Sequence, residues 1–228
     1  MRPVILVVAG VAIGLLAAIV LVTFVWDDDG DDAADSDPPL ELSFPPVEHD
    51  VDAAEDLIIA WNRWRTATFV TSGTWTRTLD DGSDPLTGDV FIAQEPPRRL
   101  VFRLGSVTES IDGTVTTCDT STDQAISPGC LASSSTRTYD ERVADEMQLV
   151  LGFVVGDARL YDVGRDGECF RVELRETVLR SAWGRAAVFC FDEATGALAS
   201  SRVRRQTATD VEITTAFRTE VTDEDFLS

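Results

Sequence analysis

The chain has 228 residues and a formal net charge of −21, with 40 acidic residues against 19 basic ones, every one of them Arg. That balance excludes nucleic acid as a partner. A single histidine, His49, leaves too little to build a Ser-His-Asp site or a histidine metal set, and neither a Gly-x-Ser-x-Gly turn nor a phosphate-cradling glycine loop occurs. The expectation is a protein without catalysis, cofactor or bound metal.

From Val4 to Trp26 run 23 residues without a charge. As a helix they would span about 34 Å, against about 30 Å of hydrocarbon. A cleaved signal peptide would have a shorter apolar core; cutting after "LLAA" at 15–18 would leave "IVLVTFVW" on the mature end. Residues 1–26 therefore read as an uncleaved transmembrane signal anchor. Arg2 precedes the helix and "DDDGDDAADSD" follows it, so the N-terminus is expected in the cytoplasm and the rest outside the cell membrane. No cysteine lies in or just after the segment to carry a lipid.

Residues 27–46 form an acidic, proline-containing linker. Repelling carboxylates and proline favour an extended spacer of at most about 65–70 Å. It is not a calcium loop of the EF-hand kind, because counting from Asp27 puts Asp32 where Gly is needed and Pro38 where Glu is needed. Residues 47–228, with 18 Arg and 32 acids, are long enough for one domain with its own core.

That domain opens with a helix over 50–68. Asp50 or Asp52 can cap it, Arg63 and Arg65 suit its end, and Leu57, Ile58, Trp61 and Trp64 share a face. The period then drops to two. Phe69, Trp75 and Leu79 share a parity in the first strand, with Gly73 between them. "GDVFIAQEPPRRLVFRL" gives two strands about Pro96-Pro97, with Leu100, Phe102 and Leu104 opposite Arg99 and Arg103. Asp112-Gly113 marks a hairpin. A second helix over 140–157 places Val143, Met147, Val150, Leu151 and Val154 on one face and ends at Gly156. Strands resume near 159–163, 168–175, 185–192, 197–205 and 209–221. In the last, Val211, Ile213, Phe217 and Val221 alternate with Asp210, Glu212, Arg218 and Glu220, which predicts an apolar face covered by the two helices. The fold class is α+β.

Four extracytoplasmic cysteines most simply make two disulfides. Of three possible pairings, parity favours Cys169–Cys190 with Cys118–Cys130. If "ECFRVEL" and "AVFCFD" are neighbouring strands, both cysteines leave the polar face while Phe170, Phe189 and Phe191 enter the core. "DEATG" at 192–196 then reads as a solvated turn rather than a catalytic acid pair.

The order helix, β-meander, helix, β-meander, with "FCFDEATGAL", an Arg-rich strand and the closing "VTDEDF", resembles the LolA-like lipoprotein-carrier superfamily, in particular its LppX/LprG-type extracytoplasmic lipid-binding branch. The resemblance covers roughly 50–228. It implies a strongly curved antiparallel β half-barrel, covered by helices, whose concave face can hold acyl chains. The chain departs from that branch in carrying a membrane helix where those proteins have an acylated cysteine. The function expected is a membrane-tethered binding module for a lipid or other hydrophobic ligand, lined by Trp75, Phe102, Leu104, Met147, Leu151, Phe170, Phe189, Phe191, Ile213 and Phe217. The alternative is a closed-core protein-interaction or sensing ectodomain without a small-molecule ligand.

Overall fold

The computed structural model describes residues 44, 46–103, 105–119, 130–134, 136–175 and 181–226. The expected anchor and nearly all of the linker lie outside these residues. No helix among the described residues is long and apolar enough to cross a membrane.

Among the described residues two helices, α1 (Val51–Thr66) and α2 (Tyr139–Val154), accompany eleven strands and a short C-terminal 3-10 turn, Asp223–Phe226. The strands are β1 (Phe69–Leu79), β2 (Leu86–Glu95), β3 (Arg98–Arg103), β4 (Ser106–Ile111), β5 (Thr114–Asp119), β6 (Cys130–Ser134), β7 (Tyr161–Asp166), β8 (Cys169–Leu174), β9 (Ala186–Phe191), β10 (Leu198–Arg204) and β11 (Ala208–Arg218). They form one open antiparallel sheet in the order β6-β5-β4-β3-β2-β1-β11-β10-β9-β8-β7. Each strand pairs with its chain neighbour except at β1–β11, where the two meanders join, and at β6 and β7, which lie at opposite edges with α2 between them in the chain. β6 is the one strand that the sequence pattern does not announce.

The helices begin and end for local reasons. Asp50 caps α1 by accepting from the N–H groups of Asp52 and Ala53 at 2.9 and 3.2 Å. Thr138 and Glu141 form a reciprocal capping box on α2, and Gly156, at φ +83°, follows its end.

Both helices pack on one side of the sheet, and the sheet curls toward them. The N-terminus of α2 is fastened to the β4–β5 turn, where the Tyr139 N–H donates to Asp112 at 3.3 Å, while its other end reaches the entry to β7 through Leu160 N–H to Phe153 C=O at 3.0 Å. β4 and β7 are eight strand steps apart, about 38 Å in a flat sheet. A helix of 16 residues is about 24 Å long. The helix side is therefore concave.

Apolar burial is divided between the faces. On the helix side, Leu57, Trp61, Val150, Val154, Tyr161, Phe170, Val172, Trp183 and Phe189 form the main core, with Phe69, Trp75, Val90 and Ile92 beside it. The outer face has its own cluster, in which Val70, Ala93, Leu100 and Val107 are covered by Phe226. Three expectations from the sequence are corrected by the structure. Leu100 and Phe102 alternate with Arg99 and Arg103 as expected, but they face outward against Phe226, and the arginines face the helices. In β11, Asp210 and Glu212 are buried (6% and 8% exposed) while Ile213 is 49% exposed. A bulge between Ser72 and Gly73 skips Thr215 and shifts the parity along β11. Leu151, expected on the buried face of α2, is 41% exposed, because that face is narrower and passes through Val143, Val150 and Val154.

Candidate functional site

The concave surface of β11, β1, β2 and β3 is where charge and aromatic surface meet. Trp75 on β1 stands directly across from Glu212 on one side and Gly88 on the other. The guanidinium carbons of Arg77 and Arg103 lie 5.2 and 5.8 Å from its ring centre. Arg77 grips Asp210 with two bonds of 2.6 and 2.9 Å, and Arg205 adds a third at 2.6 Å. Burial pushes the Asp210 carboxyl up, but the bonds from Arg77 and Arg205 outweigh it and hold the group below the usual carboxylate range. Arg103 pairs with Glu212.

A second cationic group lies where the end of α1 meets the start of α2. Gln94 Nε2 donates to the carbonyls of Trp64 and Ala67, each at 2.7 Å, and Tyr139 Oη donates to that of Arg65 at 2.7 Å. The carbonyls of Trp64, Arg65 and Ala67 at the end of α1 are thereby taken. Arg65 pairs with Glu146 at 2.9 Å, and Glu146 also accepts from Trp61 Nε1 at 2.9 Å. Arg142 donates to Ser110 Oγ at 2.6 Å and to the Asp112 carbonyl. Arg99 is different: among the described residues it has neither hydrogen bond nor ion pair, only the Trp64 ring at 5.3 Å. Burial, and then the repulsion of Arg65, pulls it down to about 9, which still leaves it cationic at neutral pH.

The expected lining residues divide accordingly. Phe170, Phe189, Phe191 and Met147 come together under the helices around Trp61 and Trp183. Trp75 belongs to the adjoining cluster. Phe102 is on the outer face; Leu151, Ile213 and Phe217 are exposed (Phe217 by 37%); Leu104 lies outside the described residues. Cys169 and Cys190 are disulfide-bonded, with Cα atoms 4.3 Å apart. Cys118 is also disulfide-bonded and stands opposite Cys130 in the β5–β6 register. In the 192–196 turn, Asp192 accepts from the N–H and hydroxyl of Thr195 at 2.7 and 2.6 Å, a structural role.

A cavity of about 580 Å³ opens at the β7 edge, lined by Pro46 to Val51, Gly164, Arg165 and Arg171. It is polar and contains none of the ten expected lining residues.

No protein-family model and no curated protein matches the sequence. Similar solved structures include a LolA superfamily protein from Nitrosomonas europaea, at 9% identity over 76% of this chain and 97% of that one, TM-score 0.32. Another is a putative outer membrane lipoprotein-sorting protein domain from Vibrio parahaemolyticus, at 10% identity over 76% and 97%, TM-score 0.26. A third is the MucA/MucB complex of Pseudomonas aeruginosa, at 16% identity over 78% of this chain and 61% of that one, TM-score 0.38. At these identities and scores no ligand or partner is carried over from them.

Proposed function

We propose that this chain is a membrane-tethered, extracytoplasmic and non-catalytic binding module that holds a lipid or other hydrophobic ligand on the concave face of a half-barrel. The observation that carries the reading is the way the sheet clasps the helix pair. Met147, Phe153, Phe191, Leu198 and Trp64 pack against the main core yet remain only partly buried, giving an apolar surface at the boundary between helices and sheet. A ligand seated there adds apolar contact without dismantling Trp61, Trp183 and Phe189. The uncharged N-terminal stretch and the acidic spacer support a tethered role, with ligand loaded or presented beside the membrane. The test is mass spectrometry of lipids that co-purify with the full-length protein, followed by titration of the delipidated protein with a fluorescent fatty acid. Saturable binding is expected. Its absence in both assays would leave the closed-core interaction domain as the better description.

A further inference from the structure

Among the described residues, four buried nitrogen atoms around the junction of α1 and α2 have hydrogen to donate and no acceptor: Trp64 Nε1, Arg65 Nη1, Arg99 Nε and Arg142 Nε. A buried polar group without a partner is costly, and these four donors lack the same thing, a hydrogen-bond acceptor; three of them belong to guanidinium cations, which an anion suits best. The neighbouring acids do not supply it. Glu146 bonds Arg65 Nε and Trp61, Glu212 pairs with Arg103, Asp145 pairs with Arg137, and the Asp112 carboxylate accepts from the Tyr139 N–H; none of them bonds these four nitrogens. The carbonyls of Trp64, Arg65 and Ala67 are occupied by Gln94 and Tyr139. In a chain with a net charge of −21, an arginine left unpaired on the concave face stands out against abundant carboxylate.

We propose that Arg99, with Arg65, Arg142 and the Trp64 indole, forms an oxyanion site that takes the phosphate-class head of an amphiphile. This rests on the proposed binding of a hydrophobic ligand and specifies its polar end. Trp64 links the two parts, since its ring faces Arg99 at 5.3 Å and Phe191 at 6.5 Å. The head would satisfy the orphaned donors through charge-assisted bonds while the tail follows the partly buried apolar strip toward Phe191 and Leu198.

Calorimetric titration of the full-length protein with dodecyl phosphate, dodecanol and inorganic phosphate tests this. Dodecyl phosphate should bind about tenfold or more tighter than dodecanol, the scale of a charge-assisted bond. Arg99→Gln should abolish that preference by bringing dodecyl phosphate affinity down to about that of dodecanol, and Arg99→Lys should restore part of it. Equal affinity for the two dodecyl ligands in the unmodified protein overturns the anion site and leaves the hydrophobic-ligand reading standing. Arg99-dependent binding of inorganic phosphate, with neither dodecyl ligand bound, supports the anion site and removes the hydrophobic ligand. Phosphate or dodecyl phosphate binding that Arg99→Gln leaves unchanged places the anion elsewhere and overturns the proposal.

Discussion

Gly73 and Ile213 are in backbone contact: a Cβ on Gly73 would collide with the Ile213 carbonyl oxygen and stand 2.9 Å from the Thr214 Cα. The contact sits at the bulge that joins the two halves of the sheet. Gly73→Ala is therefore expected to destabilise the fold by about 2–3 kcal/mol in urea unfolding. Gly152→Ala, on the open side of α2 with nothing within 4 Å, should stabilise it by about 0.5–1 kcal/mol. A neutral Gly73→Ala would mean that β1 and β11 are looser than described.

Asp210 joins Arg77 on β1 to Arg205 beyond β10. Asp210→Asn leaves two guanidiniums without their charge partner and should cost about 2–4 kcal/mol, at the lower end because both arginine side chains keep about a third of their exposure. Since the folded carboxyl sits below its usual range, its contribution is present above the ordinary carboxylate value and is lost as pH falls through the folded one. Melting temperatures measured from pH 5 downward should fall less steeply in Asp210→Asn than in the unmodified protein.

His49 accepts a hydrogen bond at Nδ1 from the Val163 N–H at 3.2 Å, which requires that nitrogen unprotonated; Asp162, at 3.9 Å, is too distant to bond it. Burial, aided by Arg159, holds its pKa below the ordinary value against the pull of Asp162 and Asp50. The unfolded chain then takes up a proton first, so stability should decline as pH drops below about 6.5. His49→Asn keeps an acceptor but cannot titrate, and its melting temperature should be flatter from pH 7 to 5.5. Equal slopes would refute the assignment.

Cys169 and Cys190 close a loop with a sequence separation of 21. Replacing both by Ser should cost about 3 kcal/mol. Peptide mapping without reduction should recover 169–190 as one linked pair and 118–130 as the other. A peptide linking Cys118 to Cys169 or Cys190 would contradict the strand neighbours.

Alternation and helix periodicity were legible, and so were the caps at Asp50 and the Asp112-Gly113 turn. What the residues do not reveal locally is which face of an alternating strand meets the core. In β3 either Leu100 or Arg99 could have faced the helices, and the deciding residue, Phe226, lies more than a hundred positions away. β11 hid its parity for a different reason, since the bulge at Ser72/Gly73 depends on a partner strand. The Arg65, Arg99 and Arg142 group was invisible because its members come from α1, β3 and α2 and meet only after the sheet curls. The Phe170/Phe189 pairing was readable because both strands carry their aromatics at one parity around a cysteine.

The segment leading into α1 also has a mechanical meaning. Its links to the β7–β8 edge follow one another along the chain: Val47 N–H to Glu173, Val163 N–H to His49, then Asp50 N–H to the Val163 carbonyl. Tension applied through the chain preceding Pro46 would load these bonds in succession, as in unzipping, rather than share the force among them. Small forces would peel the entry segment from β7 and open the cavity lined by Pro46 to Val51, while the Cys169–Cys190 bridge would keep β8 fastened to β9 behind it.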